Sequence, residues 1–224
     1  MSPPPSRART RAPGPAVGLD LAGSPHRRTG FCRLGPGLAT ETRVLGDDDA
    51  ILDAVRNAGA GIVAIDAPLS LPRGRASLDV PSPPHFRACD RALTALGIRF
   101  FPITLGPMRM LTRRGIEIAG RLRRDGFEVI EAYPGGAQDV LGLPRKGAGE
   151  ERLRRALVRF GFSGAVEHRA ITHDELDAVL CAYTGREHRS GRSLVLGDPG
   201  EGTLVLPRPR RNVRAGAGAR GRRA

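Results

Sequence analysis

Four carboxylates interrupt apolar runs of this 224-residue chain. Asp20 stands in Val17-Gly18-Leu19-Asp20-Leu21, Asp66 in Val63-Ala64-Ile65-Asp66-Ala67-Pro68, Glu131 in Val129-Ile130-Glu131-Ala132, and Asp177 in Leu176-Asp177-Ala178-Val179. Burying an unpaired carboxylate costs several kcal/mol or drives it to protonate, so a set of such acids points to a shared cation. Carboxylate oxygens are hard ligands that favour Mg²⁺ or Mn²⁺, and the five histidines show no His-x-His or His-x-x-x-His pair for a histidine cage. Two such ions ~4 Å apart activate a water and stabilise the leaving oxygen of a phosphodiester. The expected chemistry is metal-dependent phosphodiester hydrolysis, with Asp20, Asp66, Glu131 and Asp177 as catalytic acids and Asp20, Asp66, Asp174 and Asp177 as metal ligands.

The elements that position these acids follow from the hydrophobic pattern. Strands are expected at 16–22, 28–34 and 40–45, the last two separated by Gly35-Pro36-Gly37. Asp47-Asp48-Asp49 caps a helix in which Ile51, Ala54, Val55 and Ala58 recur at helical spacing. A fourth strand, 62–67, is apolar on both faces, as a covered parallel strand is. After a Pro-rich stretch come helices at 86–96 and after Pro107, where Gly115 weakens continuity, and then a fifth strand at 127–133. Short helices are expected at 137–141 and 150–160. A last helix begins at Thr172, where Thr172-x-x-Glu175 has the form of a capping box, and a hairpin pairs 193–196 with 203–206. Alternation sets Asp20 on the face of Gly18, opposite Val17, Leu19 and Leu21. Asp66 and Glu131 both fall near the carboxyl ends of their strands, where ligands gather in open α/β sheets. Asp174 lies three residues before Asp177 on the last helix, a place that also suits the helix dipole, and His173 reads as an exposed first-turn residue.

The bulk charge is a weaker guide. The formal net charge is +13, but residues 1–16 hold three arginines and 207–224 hold seven, with no acid in either, so 13 − 10 leaves +3 for the body. These basic, apolar-poor ends, 1–15 and 207–224, are expected to be disordered around one domain at 16–206. Cys32, Cys89 and Cys181 show no Cys-x-x-Cys spacing, which fits a reduced, cytoplasmic setting, and no run is long enough to span a bilayer. Asp90, Arg91, Arg113 and Arg114 fall on the helices between the fourth and fifth strands. They read as a solvated face, with Arg91 and Arg113 the candidates for gripping phosphate. Phe100-Phe101 is the only aromatic pair there, a weak sign of base stacking.

The order of three strands, helix, strand, inserted helices, strand and acid-bearing helix resembles the RNase H fold. Asp174-x-x-Asp177-Ala178 is similar to the helix motif of RuvC-type resolvases. Several ordered segments resemble the family called domain of unknown function 429, whose members are often described as predicted nucleases. They are Gly18-Leu19-Asp20-Leu21-Ala22-Gly23, Ile65-Asp66-Ala67-Pro68-Leu69, Arg87-Ala88-Cys89-Asp90-Arg91, Ile130-Glu131-Ala132-Tyr133-Pro134, His173-Asp174-Glu175-Leu176-Asp177-Ala178 and Leu196-Gly197-Asp198-Pro199-Gly200-Glu201-Gly202. The resemblance implies an α/β domain with a five-stranded mixed sheet flanked by helices, a helical insertion before the fifth strand and a C-terminal hairpin. It also implies a nuclease acting on nucleic acid or a nucleotide. The modest body charge leaves room for a small-nucleotide or other phosphate-ester hydrolase, and the arginine-rich ends for a nucleic-acid-binding scaffold without turnover. The first glycine segment is also similar to the phosphate loop of actin-like sugar kinases, but the chain lacks their second half and second glycine-rich loop.

Overall fold

In the computed structural model, residues 14–80, 82–168 and 170–209 are described; the ends expected to be disordered lie almost entirely outside them. The elements in order are β1 (Ala16–Asp20), β2 (Thr29–Leu34), β3 (Ala39–Leu45), α1 (Asp48–Asn57), β4 (Ile62–Asp66), α2 (Ala88–Ala95), α3 (Gly106–Arg124), β5 (Glu128–Ala132), α4 (Pro134–Leu141), α5 (Glu150–Phe160), β6 (Ser163–Gly164), α6 (His173–Arg189), β7 (Ser193–Asp198) and β8 (Gly202–Pro207). The eight strands among the described residues lie in one mixed sheet of order β6-β3-β2-β1-β4-β5-β8-β7. Strands β1, β4, β5 and β8 run parallel, while β2 and β7 are antiparallel to their neighbours.

The sheet has eight strands rather than the expected five. The five expected strands are adjacent, but the terminal hairpin does not stand apart: β8 pairs with β5 through Glu131↔Leu204 and Ala132↔Val205. That pairing covers the edge of β5, whose unpaired N–H and C=O groups would otherwise need other partners. The two-residue β6 joins β3 at the opposite edge. Helix α3 runs unbroken through Gly115, which also differs from expectation. A Cβ there would lie 2.8 Å from the Ala67 Cβ and 3.0 Å from the Pro68 carbonyl, so this glycine lets α3 rest against the chain leaving β4.

Each sheet face is covered by helices. Val17, Leu19, Val63 and Ile65 meet Ile51, Leu52 and Val55 of α1 and Ile118 and Leu122 of α3 on one side. Cys32 and Leu34 meet Leu176, Val179, Leu180 and Tyr183 of α6 on the other, with α5 packed beyond. Thr172 and Glu175 form the expected capping box, and Asp47 caps α1 by accepting from the Ala50 N–H at 2.9 Å. Arg114 was expected on a solvated face but is buried. It donates to Asp48 Oδ1 at 2.6 and 2.8 Å and to the Ala22 and Ser24 carbonyls, tying α3 to α1 and to the turn after β1.

The position of α6 rests on two glycines. A Cβ on Gly18 would collide with the backbone of α6 at Ala178 and Ala182, and one on Gly30 with the backbone at Asp174. Overpacking costs about 1–3 kcal/mol where side chains can adjust, and helix backbone adjusts less. Gly18→Ala is therefore expected to destabilise the protein by at least about 3 kcal/mol or to prevent folding. Gly120→Ala, whose new methyl would meet only Arg124 Nη1 at 3.6 Å within α3, should stabilise by about 0.5–1 kcal/mol through helix propensity. Urea midpoints of the two variants against wild type check the contrast.

Candidate functional site

Strand alternation and register place the acids. Asp20 and Asp66 are the last residues of β1 and β4 and are register partners in a parallel pair, as are Gly18 and Ala64 below them. Parallel neighbours lie about 4.8 Å apart with partners pointing to the same face, so the two carboxylates stand side by side on the α6 face. Asp177, on the second turn of α6, is 8% exposed and completes a third side. Its Oδ1 accepts from Gln138 Nε2 of α4 at 3.2 Å, which orients the carboxylate. The three acids surround the buried Cys181: burial first, then the charges of Asp66, Asp20 and Asp177 in that order, push its thiol far above the ordinary range.

Above them a cavity of about 290 Å³ opens at the carboxyl ends of β1, β4 and β5, lined by Asp20, Asp66 and Asp177 and by Gln138, Arg87 and Arg145 among others. Glu131 also lines it but comes from the other face. Its register partner is Ile65, whereas its neighbours Ile130 and Ala132 pack with Ala64 and Cys181. Both Glu131 oxygens are engaged: Arg87 donates to each at 2.7 Å, and the Leu69 N–H donates to Oε2 at 2.8 Å. Arg87 further holds Asp90 Oδ1 at 2.9 Å, and Asp90 Oδ2 accepts from the Arg87 N–H at the start of α2. Arg87 is 1% and Asp90 2% exposed, so the solvated position expected for Asp90 does not hold. Burial opposes the guanidinium charge, but the facing carboxylates outweigh it and raise the Arg87 pKa above its ordinary value.

The remaining expected residues lie outside the cavity lining. Asp174 is half-buried in the first turn of α6, with its backbone against Gly30. Arg91 is exposed and donates to the Phe86 carbonyl, and Arg113 is exposed and paired with Asp79 at 2.5 Å. His173 is buried rather than exposed. Neither ring nitrogen has a hydrogen-bond partner, and its Nδ1 stands 3.7 Å from Asp177 Oδ2. The residues that sequence reasoning missed are Arg87, Gln138 and Arg145. The i, i+3 spacing of Arg87 and Asp90 was a usable sign of an ion pair; Gln138 and Arg145 carried none.

The donor set can be tested against the expected metal. Among the described residues no group of three or more His, Cys, Asp or Glu is arranged to hold a metal ion, so the four acids expected as ligands do not close into a protein cage. Mg²⁺ does not need one, since it keeps several waters and is commonly held by one or two carboxylates together with substrate phosphate. The adjacent Asp20 and Asp66 fit that mode.

Two outcomes follow from this burial. Arg87→Met leaves Glu131 and Asp90 as uncompensated buried acids and should cost about 3–5 kcal/mol in a denaturant titration. The three cysteines are all buried and free, with Cys89 pushed up to about 12 by burial and Cys32 and Cys181 also pushed well above the ordinary thiol range. The native protein at pH 8 should accordingly show almost no reaction with a disulfide reagent such as DTNB, and three reactive thiols once unfolded.

No curated protein matches the sequence. The model of one family, described as a protein of unknown function (DUF429), matches residues 18–201, from the glycine beneath Asp20 to the turn between β7 and β8. That span includes the acid triad, the Arg87 network and both glycines under α6, and the chain belongs to the DUF429 family.

Proposed function

We propose that the protein is a divalent-metal-dependent phosphodiester hydrolase, a nuclease of RNase H-like architecture, with Asp20, Asp66 and Asp177 at its centre. The observation that carries this reading is the in-register pair Asp20 and Asp66 at the ends of adjacent parallel strands, facing the third acid across the cavity. The contiguous order β3-β2-β1-β4-β5, with β2 antiparallel, supports the RNase H-like assignment.

A bound Mg²⁺ or Mn²⁺ would neutralise charge on the phosphate and lower the pKa of a coordinated water. Asp20 and Asp66 supply its protein ligands. Asp177, oriented by Gln138, faces them and takes the proton released as water attacks phosphorus. Glu131 acts one step removed. Paired with Arg87 and capping the Leu69 N–H, it fixes the segment after Asp66 and so positions that carboxylate. The phosphorus–oxygen bond to the leaving nucleotide breaks as the new one forms, and the leaving oxygen takes a proton from solvent water, yielding a phosphomonoester and a free hydroxyl.

Asp20→Asn should lower Mn²⁺-dependent cleavage of oligonucleotides by at least roughly 10²-fold, the loss typical of removing a group that stabilises developing charge. Chelation by EDTA should abolish wild-type cleavage. Saturating Mn²⁺ should raise the wild-type Tm, by about 2–4 °C for each kcal/mol of binding linkage, and leave that of Asp20→Asn nearly unchanged. Undiminished cleavage by a clean Asp20→Asn preparation would sink the proposal.

A further inference from the structure

Aromatic side chains are scarce in this protein, with seven Phe, two Tyr and no Trp. Four of the nine, Phe86, Phe100, Phe101 and Tyr133, line a second, more open hollow that adjoins the acid cavity. The two share Phe100, Phe101, Tyr133 and Arg145 in their walls. Of the seven large hydrophobic side chains that are exposed among the described residues, Phe86 and Phe101 line this hollow, and Phe101, at 67%, is the most exposed of all. A ring left in water forgoes the gain of burial, and exposed aromatic surface in a hollow suits contact with a ligand.

The chemistry of the hollow narrows what it contacts. Among the described residues its walls contain two arginines, Arg99 and Arg145, and no carboxylate. Arg145 stacks over the Tyr133 ring at 5.7 Å and is braced by Asp139 from outside the lining. Phe86 and Phe100 meet edge to face at 5.9 Å, which holds Phe100 in place. Flat rings beside guanidinium groups suit a ligand that alternates planar faces with negative charge. A base paired in a duplex has both faces covered by its neighbours, so only an unpaired base offers a face to these rings.

We infer that Phe101, with Phe100, Tyr133 and Arg145, forms a stacking platform for an unpaired nucleobase of single-stranded nucleic acid whose backbone enters the adjoining acid cavity. This rests on the hydrolase reading for the role of that cavity, but the platform itself binds without turnover. It selects single strands over duplexes, whatever the base, because every base has a π face.

Fluorescence anisotropy of the full-length protein with a labelled single-stranded 12-mer, in EDTA so that nothing is cleaved, tests the platform. Phe101→Ala should weaken binding by at least about fivefold, the lower end for losing one stacked base. The ratio should persist as salt is raised, unlike the contribution of the arginine-rich ends, which are common to both proteins. Val195→Ala, an exposed apolar residue on β7, should leave affinity unchanged. An abasic 12-mer should bind wild type as weakly as the normal strand binds Phe101→Ala, with no further loss when the two changes are combined. Equal affinity of wild type and Phe101→Ala for the 12-mer would overturn the inference, as would equal affinity for the duplex or for a mononucleotide. Each of these results would leave the metal-dependent cleavage assay standing, and a loss of that assay would leave the binding result standing.

Discussion

The close approach of α6 to the sheet governs the rest of the molecule. A helix packed against a sheet normally stands off by the thickness of two side-chain layers, but here Gly18 and Gly30 remove one of them. Helix α6 sinks between β1, β2 and β4, and its middle turns, Leu176 to Thr184, are buried all round. Only at this depth does Asp177 reach the level of the strand ends and face Asp20 and Asp66. The same depth requires a small residue under the acids, which Cys181 supplies, and its burial among three carboxylates keeps it protonated. Helices α4 and α5 then cover the outer side of α6, and α4 brings the Gln138 amide to Asp177.

A second constraint acts from the other side of the sheet. The Arg87 guanidinium is buried with two carboxylates, an arrangement that stabilises only because its hydrogen bonds are satisfied. It gathers the start of α2, the end of β5 and the segment after β4 at one point. The inserted helices are therefore fixed relative to Asp66, and with them the aromatic rim around Phe100 and Phe101.

Much of this was legible in the chain. Element order followed from periodicity, because helix and strand patterns are local. Asp20, Asp66 and Asp177 were visible as acids with no capping role inside apolar runs. Glu131 looked alike but differs, because the face on which a strand residue points depends on register with neighbours distant in sequence. Parity along β5 set it opposite Ile130 and Ala132; which face carried α6 was the missing fact. The same non-locality hid the pairing of β8 with β5, and Ser163–Gly164 is too short to leave a strand signal. Arg114 and His173 read as surface residues from their types, and both are buried, as is Arg87. For the two arginines, partners far along the chain make burial tolerable, and no window of sequence contains those partners.

Glu201, in the turn between β7 and β8, accepts from the Arg73 N–H at 2.6 Å and from the Ala88 N–H at the head of α2. During synthesis Arg73 and Ala88 emerge 128 and 113 residues before this acceptor. Until the hairpin emerges, the β5 edge and the Ala88 N–H have only water as partner. The hairpin thus completes a junction that the Arg87 network begins: a chain ending before Glu201 would keep that network and lack the acceptor for these two amides.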